Sequence, residues 1–133
     1  GVTSSLTSCV IHRFTERILL INLNKKTFKA ISNSNTGEVS EDTLFHYSQN
    51  ENIISAEYNG GQIIKGNLIG KQLDNGDFDF VYQHINFNNE IKIGKCLSKA
   101  ILQNDGKIKL LEKWQWLCDD MSQGESELIE IRG

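Results

Sequence analysis

From residue 34 to residue 124 the chain is punctuated by clusters of Gly, Asn and Asp. They are Ser34-Asn35-Thr36-Gly37, Gln49 to Asn52, Asn59-Gly60-Gly61, Asp74-Asn75-Gly76, Asn88-Asn89, Asn104-Asp105-Gly106 and Asp119 to Gly124. The chain has no proline at all, so every turn must come from residues that tolerate tight or left-handed backbone. The stretches between the turns alternate with period 2 and leave no room for helical crossovers, so consecutive strands must pair antiparallel. The expected strands are Thr27 to Ser32, Asp42 to Gln49, Ile53 to Tyr58, Gln62 to Gln72, Asp77 to Asn86, Glu90 to Ala100, Lys107 to Cys118 and Glu125 to Arg132. About eight strands in one meander expose two edges unless they close. The expected fold is therefore mainly β: an antiparallel up-and-down meander closed, or nearly closed, into a calycin- or lipocalin-like barrel.

Residues 1 to 23 read differently. Val10, Ile11, Phe14, Ile18 and Ile21 recur at near-helical spacing, with Ser8 or Thr7 available as a cap. This predicts a short amphipathic N-terminal helix as an extension, 1–23, to a single barrel domain, 24–133. Such a segment can plug the barrel end, act as a lid or mediate self-association.

A chain of 133 residues forms one domain. Its net charge of −3 and lack of a Lys/Arg cluster argue against nucleic acid or an anionic membrane as partner. No run approaches the ~18 apolar residues of a membrane helix. Three cysteines, Cys9, Cys96 and Cys118, form neither a disulfide framework nor a C-x-x-C pair, which is the pattern of reduced thiols and a cytoplasmic protein. Leu6-Thr7-Ser8-Cys9 resembles a lipoprotein box, but no basic start or apolar run precedes it.

The strand from Lys107 to Cys118 holds both tryptophans. One of its faces carries Ile108, Leu110, Glu112, Trp114, Trp116 and Cys118. Matching inward faces elsewhere are Phe78, Phe80, Tyr82 and His84; Gly94, Cys96 and Ser98; Ile64, Gly66, Leu68 and Gly70; and Ile54, Ala56 and Tyr58. Large rings opposite small residues serve either to fill a barrel or to leave a pocket beside an aromatic wall. The candidate ligand-binding residues are Tyr58, Tyr82, His84, Cys96, Ser98, Glu112, Trp114 and Trp116. Their polar groups either satisfy one another in a packed core or face a small ligand. Glu112 and His84 as an acid–base pair is the enzymatic alternative, and it requires both within reach of one reacting atom. His46, His84 and Glu112 have no metal-binding spacing, and no nucleophile elbow or phosphate loop is present, so no metal and no cofactor is expected.

From about Asn24 to Ile131 the chain resembles a group of small bacterial β-meander proteins of unknown function, often labelled "N-acetylglutamate synthase". The shared segments include Gly37-Glu38-Val39-Ser40, Phe45-His46-Tyr47, Tyr58-Asn59-Gly60-Gly61, Tyr82-Gln83-His84-Ile85-Asn86 and Glu112-Lys113-Trp114-Gln115-Trp116. The resemblance implies the barrel but not the labelled chemistry. An acetyltransferase of that kind is an α/β domain with an acetyl-CoA loop opening a helix, and this sequence has neither. The reading is thus a small-molecule binding module that uses the barrel interior. The alternatives are a packed barrel acting through homo-oligomerisation and a small enzyme.

Overall fold

A computed structural model describes residues 20–131. It contains eight strands: β1 (Thr27–Asn33), β2 (Leu44–Asn50), β3 (Ile53–Gly60), β4 (Ile63–Gln72), β5 (Phe78–Asn86), β6 (Ile91–Leu102), β7 (Ile108–Trp116) and β8 (Gln123–Ile131). They pair in sequence order, all antiparallel, and β8 returns to pair with β1, so the barrel is closed. Closure removes both free edges of the meander, which is the physical reason a chain of hairpins without helices adopts it. Every expected strand is present within a few residues of its expected ends. Among the described residues no helix is long and apolar enough to cross a membrane.

The helix expected over residues 1–23 falls almost entirely outside the described residues. At its end, Leu20 to Leu23 form no regular structure. Leu23 is buried in the core, and its N–H donates to Gln49 Oε1 at 2.8 Å. Gln49 in turn donates to Gln72 Oε1, and Gln72 donates to the Ile21 carbonyl. Residues 21 to 25 therefore belong to the barrel and close the end from which β1 starts.

The interior follows the expected alternation with one exception. On β4 the sequence pattern points Ile64 inward, but Ile63 is the buried residue and Ile64 is half exposed. The ladder to β5 shifts register between Ile63 and Lys65. This bulge inserts one residue and inverts the side-chain phase at the start of the strand. Beyond it Gly66 and Leu68 face inward as expected.

The lower interior is an apolar core, where Phe28, Phe78, Ile54, Leu110 and Leu128 are fully buried, and such burial stabilises the barrel. The upper half differs. The β1–β2 ladder has three residue pairs, Thr27↔His46, Phe28↔Phe45 and Lys29↔Leu44, continued below by backbone hydrogen bonds of Lys25 and Lys26 with Tyr47. Above them the two strands part, and the 34–43 connection fills the gap over the barrel mouth.

Candidate functional site

The site is built on β7, whose inward residues rise in layers. Leu110 pairs with Ala100 and Leu128, an apolar row. The next row is polar, with Glu112 between Ser98 on β6 and Ser126 on β8. Above it Trp114 stands between Cys96 and Gly124, and then Trp116 stands opposite Gly94.

Glycines make these ring positions available. Each ring lies across the residue directly opposite it in the ladder. A methyl group at Gly66 would sit 2.6 Å from the Tyr58 ring, one at Gly94 2.2 Å from Tyr82, and one at Gly124 2.3 Å from Trp114. These glycines serve as seats for aromatic rings.

The 34–43 connection is tied to these rings. Trp116 Nε1–H donates to the Thr36 carbonyl at 3.1 Å, and Trp114 Nε1–H donates to Asn33 Oδ1 at 2.9 Å. Asn33 Nδ2 donates to the Val39 carbonyl at 3.0 Å. Glu38 reaches into the mouth, where its carboxylate meets His84 Nε2 at 2.8 Å and Asn86 Nδ2 at 3.0 Å.

His84 is nearly fully buried. Burial lowers its pKa, against the upward pull of the Glu38 hydrogen bond, so the ring is neutral at pH 7. A neutral ring suits its neighbours: Tyr58 O–H donates to Nδ1 at 2.9 Å, and Nε2–H donates to Glu38. Both ring nitrogens are thereby used, and no hydrogen bond joins His84 to Glu112. His46 lies on the outer face, hydrogen-bonded with Thr27 Oγ1, so His46, His84 and Glu112 do not converge.

Glu112 is 8% exposed. Its Oε1 accepts from Ser126 Oγ at 3.2 Å, while Oε2 has no partner. Loss of hydration pushes this carboxyl up to about 7, with the Ser126 and Ser98 hydroxyls pulling the other way. The Ser98 and Tyr47 hydroxyls are also buried without a partner. The tyrosines around the site, Tyr47, Tyr58 and Tyr82, are held protonated by burial, and so is the Cys96 thiol.

Together these groups enclose a cavity of about 40 Å³. Seven of the eight residues expected from sequence line it: Tyr58, Tyr82, His84, Cys96, Glu112, Trp114 and Trp116. Ser98 does not; it lies beside Glu112 in the polar row, beneath the lining. The sequence reading missed Asn33, Glu38, Phe45 and Ser126, all of which line the cavity. Glu38 sits in a connection without periodicity, and its only signal was the shared Gly37-Glu38-Val39-Ser40 segment.

A family model described as "Avidin-like protein" matches residues 21–131. The chain belongs to this avidin-like family. The match starts where the described barrel starts and includes Leu23 in the domain. An avidin-like barrel is a calycin-type barrel, which agrees with the closed eight-stranded meander. A search of curated proteins finds no match for this avidin-like chain.

Proposed function

We propose that this avidin-like chain is a small-molecule binding protein that uses the upper half of its barrel interior. The observation that carries the reading is the cavity itself. Its walls are aromatic rings, its floor holds a carboxyl oxygen with no partner, and a single loop covers its mouth. Ligand pockets combine apolar walls with a few convergent polar groups in this way.

Size constrains the ligand. Drug-sized ligands occupy roughly 300 Å³ or more, whereas this cavity measures about 40 Å³. Either the bound group is very small, or the 34–43 loop and the Trp116 ring move aside to admit a larger one. Avidin-like proteins bind small ligands, biotin among them, and a molecule of that kind requires the second route here.

Both tryptophans stand in the cavity wall, so intrinsic fluorescence reads occupancy directly. The test is native mass spectrometry of protein purified without denaturation, followed by fluorescence titration of biotin and of any co-purifying compound. A saturable change at one molecule per barrel supports the reading. No retained mass and no fluorescence change with any compound would remove it.

A second reading rests on a separate observation. The outer face of β4 to β6 exposes Ile69, Val81, Ile85, Ile91, Ile93 and Leu97. Ile69 pairs with Val81, and Ile85 pairs with Ile91. Exposed apolar pairs on a barrel wall, here separated by Asn67, Gln83 and Lys95, favour association, and a second copy of this chain is the partner that the self-association reading supplies.

A further inference from the structure

We infer that the group held in the cavity is a small alkylammonium cation, seated between the Glu112 carboxylate and the faces of Trp114, Trp116 and Tyr82. This rests on the reading of the interior as a binding site and names its ligand class.

Three observations converge. The first is the charge of the lining. Glu38 at the mouth and Glu112 at the floor are both acidic, and among the described residues no Lys or Arg lines the cavity. The remaining titratable groups there are kept uncharged by burial: His84 is neutral, and Tyr58, Tyr82 and Cys96 are protonated. An anion entering this space meets repulsion from both ends and no compensating charge.

The second is the valence of Glu112. A carboxylate only accepts hydrogen bonds. Ser126 occupies one oxygen of this residue, only 8% exposed, while the other, beside the Ser98 hydroxyl of the same row, makes no hydrogen bond among the described residues. A purely apolar occupant leaves that oxygen unsatisfied, at a full desolvation cost. An N–H donor carrying positive charge satisfies both the hydrogen bond and the charge.

The third is the arrangement of the rings. Trp114 and Trp116 have centroids 5.6 Å apart and planes tilted by 57°, and Tyr82 and Trp116 are 5.8 Å apart and tilted by 62°. These are tilted and edge-to-face contacts, His84 makes another on Trp116, and all of these rings also line the cavity. Aromatic rings lining a space beside a carboxylate form the environment that favours alkylammonium groups. A cavity of about 40 Å³ limits the occupant to a very small head, and methylammonium is the smallest member of the class.

The experiment is a titration of methylammonium chloride into the full chain, followed by the two indole N–H resonances, with sodium chloride at equal ionic strength as reference. Acetamide serves as the neutral probe of similar size. The expected result is a saturable shift of the Trp114 and Trp116 signals, at least tenfold tighter for methylammonium than for acetamide. In Glu112→Gln the preference is lost.

The wild-type pH series guards against a misfolded variant. Methylammonium keeps its charge through pH 8, while Glu112, Tyr47, Tyr58, Tyr82, Cys96, His84 and Glu38 are the titratable groups around the site. Of these, Glu112 is the one brought to about 7, so affinity should rise by about tenfold from pH 6 to pH 8. Equal affinity for acetamide, or a flat pH profile, would overturn the cation assignment and leave the binding cavity standing. Indole signals unmoved by either probe, in both the wild type and a mouth-opened Glu38→Ala variant, would leave only buried water and remove both readings.

Discussion

Glu38 Oε1 lies 2.8 Å from His84 Nε2, and these two residues tie the 34–43 loop to the barrel wall. Glu38 belongs to the connection between β1 and β2, while His84 stands on β5, on the far side of the mouth. The contact spans the opening and shuts it. Removing the carboxylate leaves His84 Nε2 without a partner and deprives Asn86 Nδ2 of one of its acceptors. Glu38→Ala should therefore cost about 1–3 kcal/mol, measured by urea unfolding. The same variant should make tryptophan fluorescence more accessible to acrylamide, because Trp116 loses the cover of the loop. Stability loss without greater quenching would mean that the loop stays shut on its other ties.

Glu112 makes a signed prediction about pH. Its carboxyl is raised from 4.5 to about 7 in the folded protein. A raised carboxyl pKa means that the folded state holds its proton more tightly than the unfolded state. The stability this confers is complete below about pH 4.5 and is lost as pH rises through 7. Glu112→Gln keeps the shape and removes the titration. The variant should be more stable than wild type at pH 8 by about 3 kcal/mol, with the gap closing toward pH 4.5. A pH-independent gap in urea unfolding would contradict the burial argument.

His84 acts in the opposite direction. Its pKa is lowered, so the unfolded state takes up a proton first as pH falls below 6.5. The difference between Glu112→Gln and wild type cancels this contribution, which makes it the cleaner quantity to measure.

The ring seats can be graded. At Gly66 an added methyl group meets the Tyr58 ring at 2.6 Å and His84 Cβ at 2.8 Å, both held in the buried Tyr58–His84–Glu38 chain. At Gly94 it meets Tyr82 alone at 2.2 Å, and Tyr82 is only partly buried at the mouth. Overpacking costs about 1–3 kcal/mol where neighbours cannot yield. Gly66→Ala should fall in that range, and Gly94→Ala below it, with Tyr82 displaced. Thermal unfolding of the two variants side by side decides the order.

The outer apolar face has its own test. Val81 is half exposed at the centre of the β4–β6 surface. If this face joins two copies, wild type should sediment as an oligomer and Val81→Lys as a monomer with an unchanged circular dichroism spectrum. Monomeric wild type across a wide concentration range would end that reading.

Much of this architecture was legible because the barrel obeys one period. The alternation on β7 places Ile108, Leu110, Glu112, Trp114 and Trp116 inside, and all five are buried. The same rule on β5 and β6 gathers His84, Tyr82 and Cys96 around them. Where the period breaks, sequence reasoning loses its hold. Ile63 and Ile64 are chemically alike, and only the bulge decides which one faces inward. Glu38 lies in a connection where no period exists, so nothing local to the sequence indicates that it reaches across the mouth. The membership of Ser98 in a polar row beneath the lining depends on interstrand register, which alternation along one strand does not specify.

The short β1–β2 ladder gives the cavity a kinetic character. Three ladder pairs and the backbone hydrogen bonds of Lys25 and Lys26 with Tyr47 hold that seam, against six to nine pairs in every other ladder of the barrel. The wall elsewhere cannot part without breaking a long run of hydrogen bonds, so arrival and departure share one door. Loop motions of this kind occur on nanosecond-to-microsecond times, and openings that break packed contacts take microseconds to seconds. Occupants of very different affinity should then arrive at a common rate set by the opening, and differ almost entirely in how long they stay.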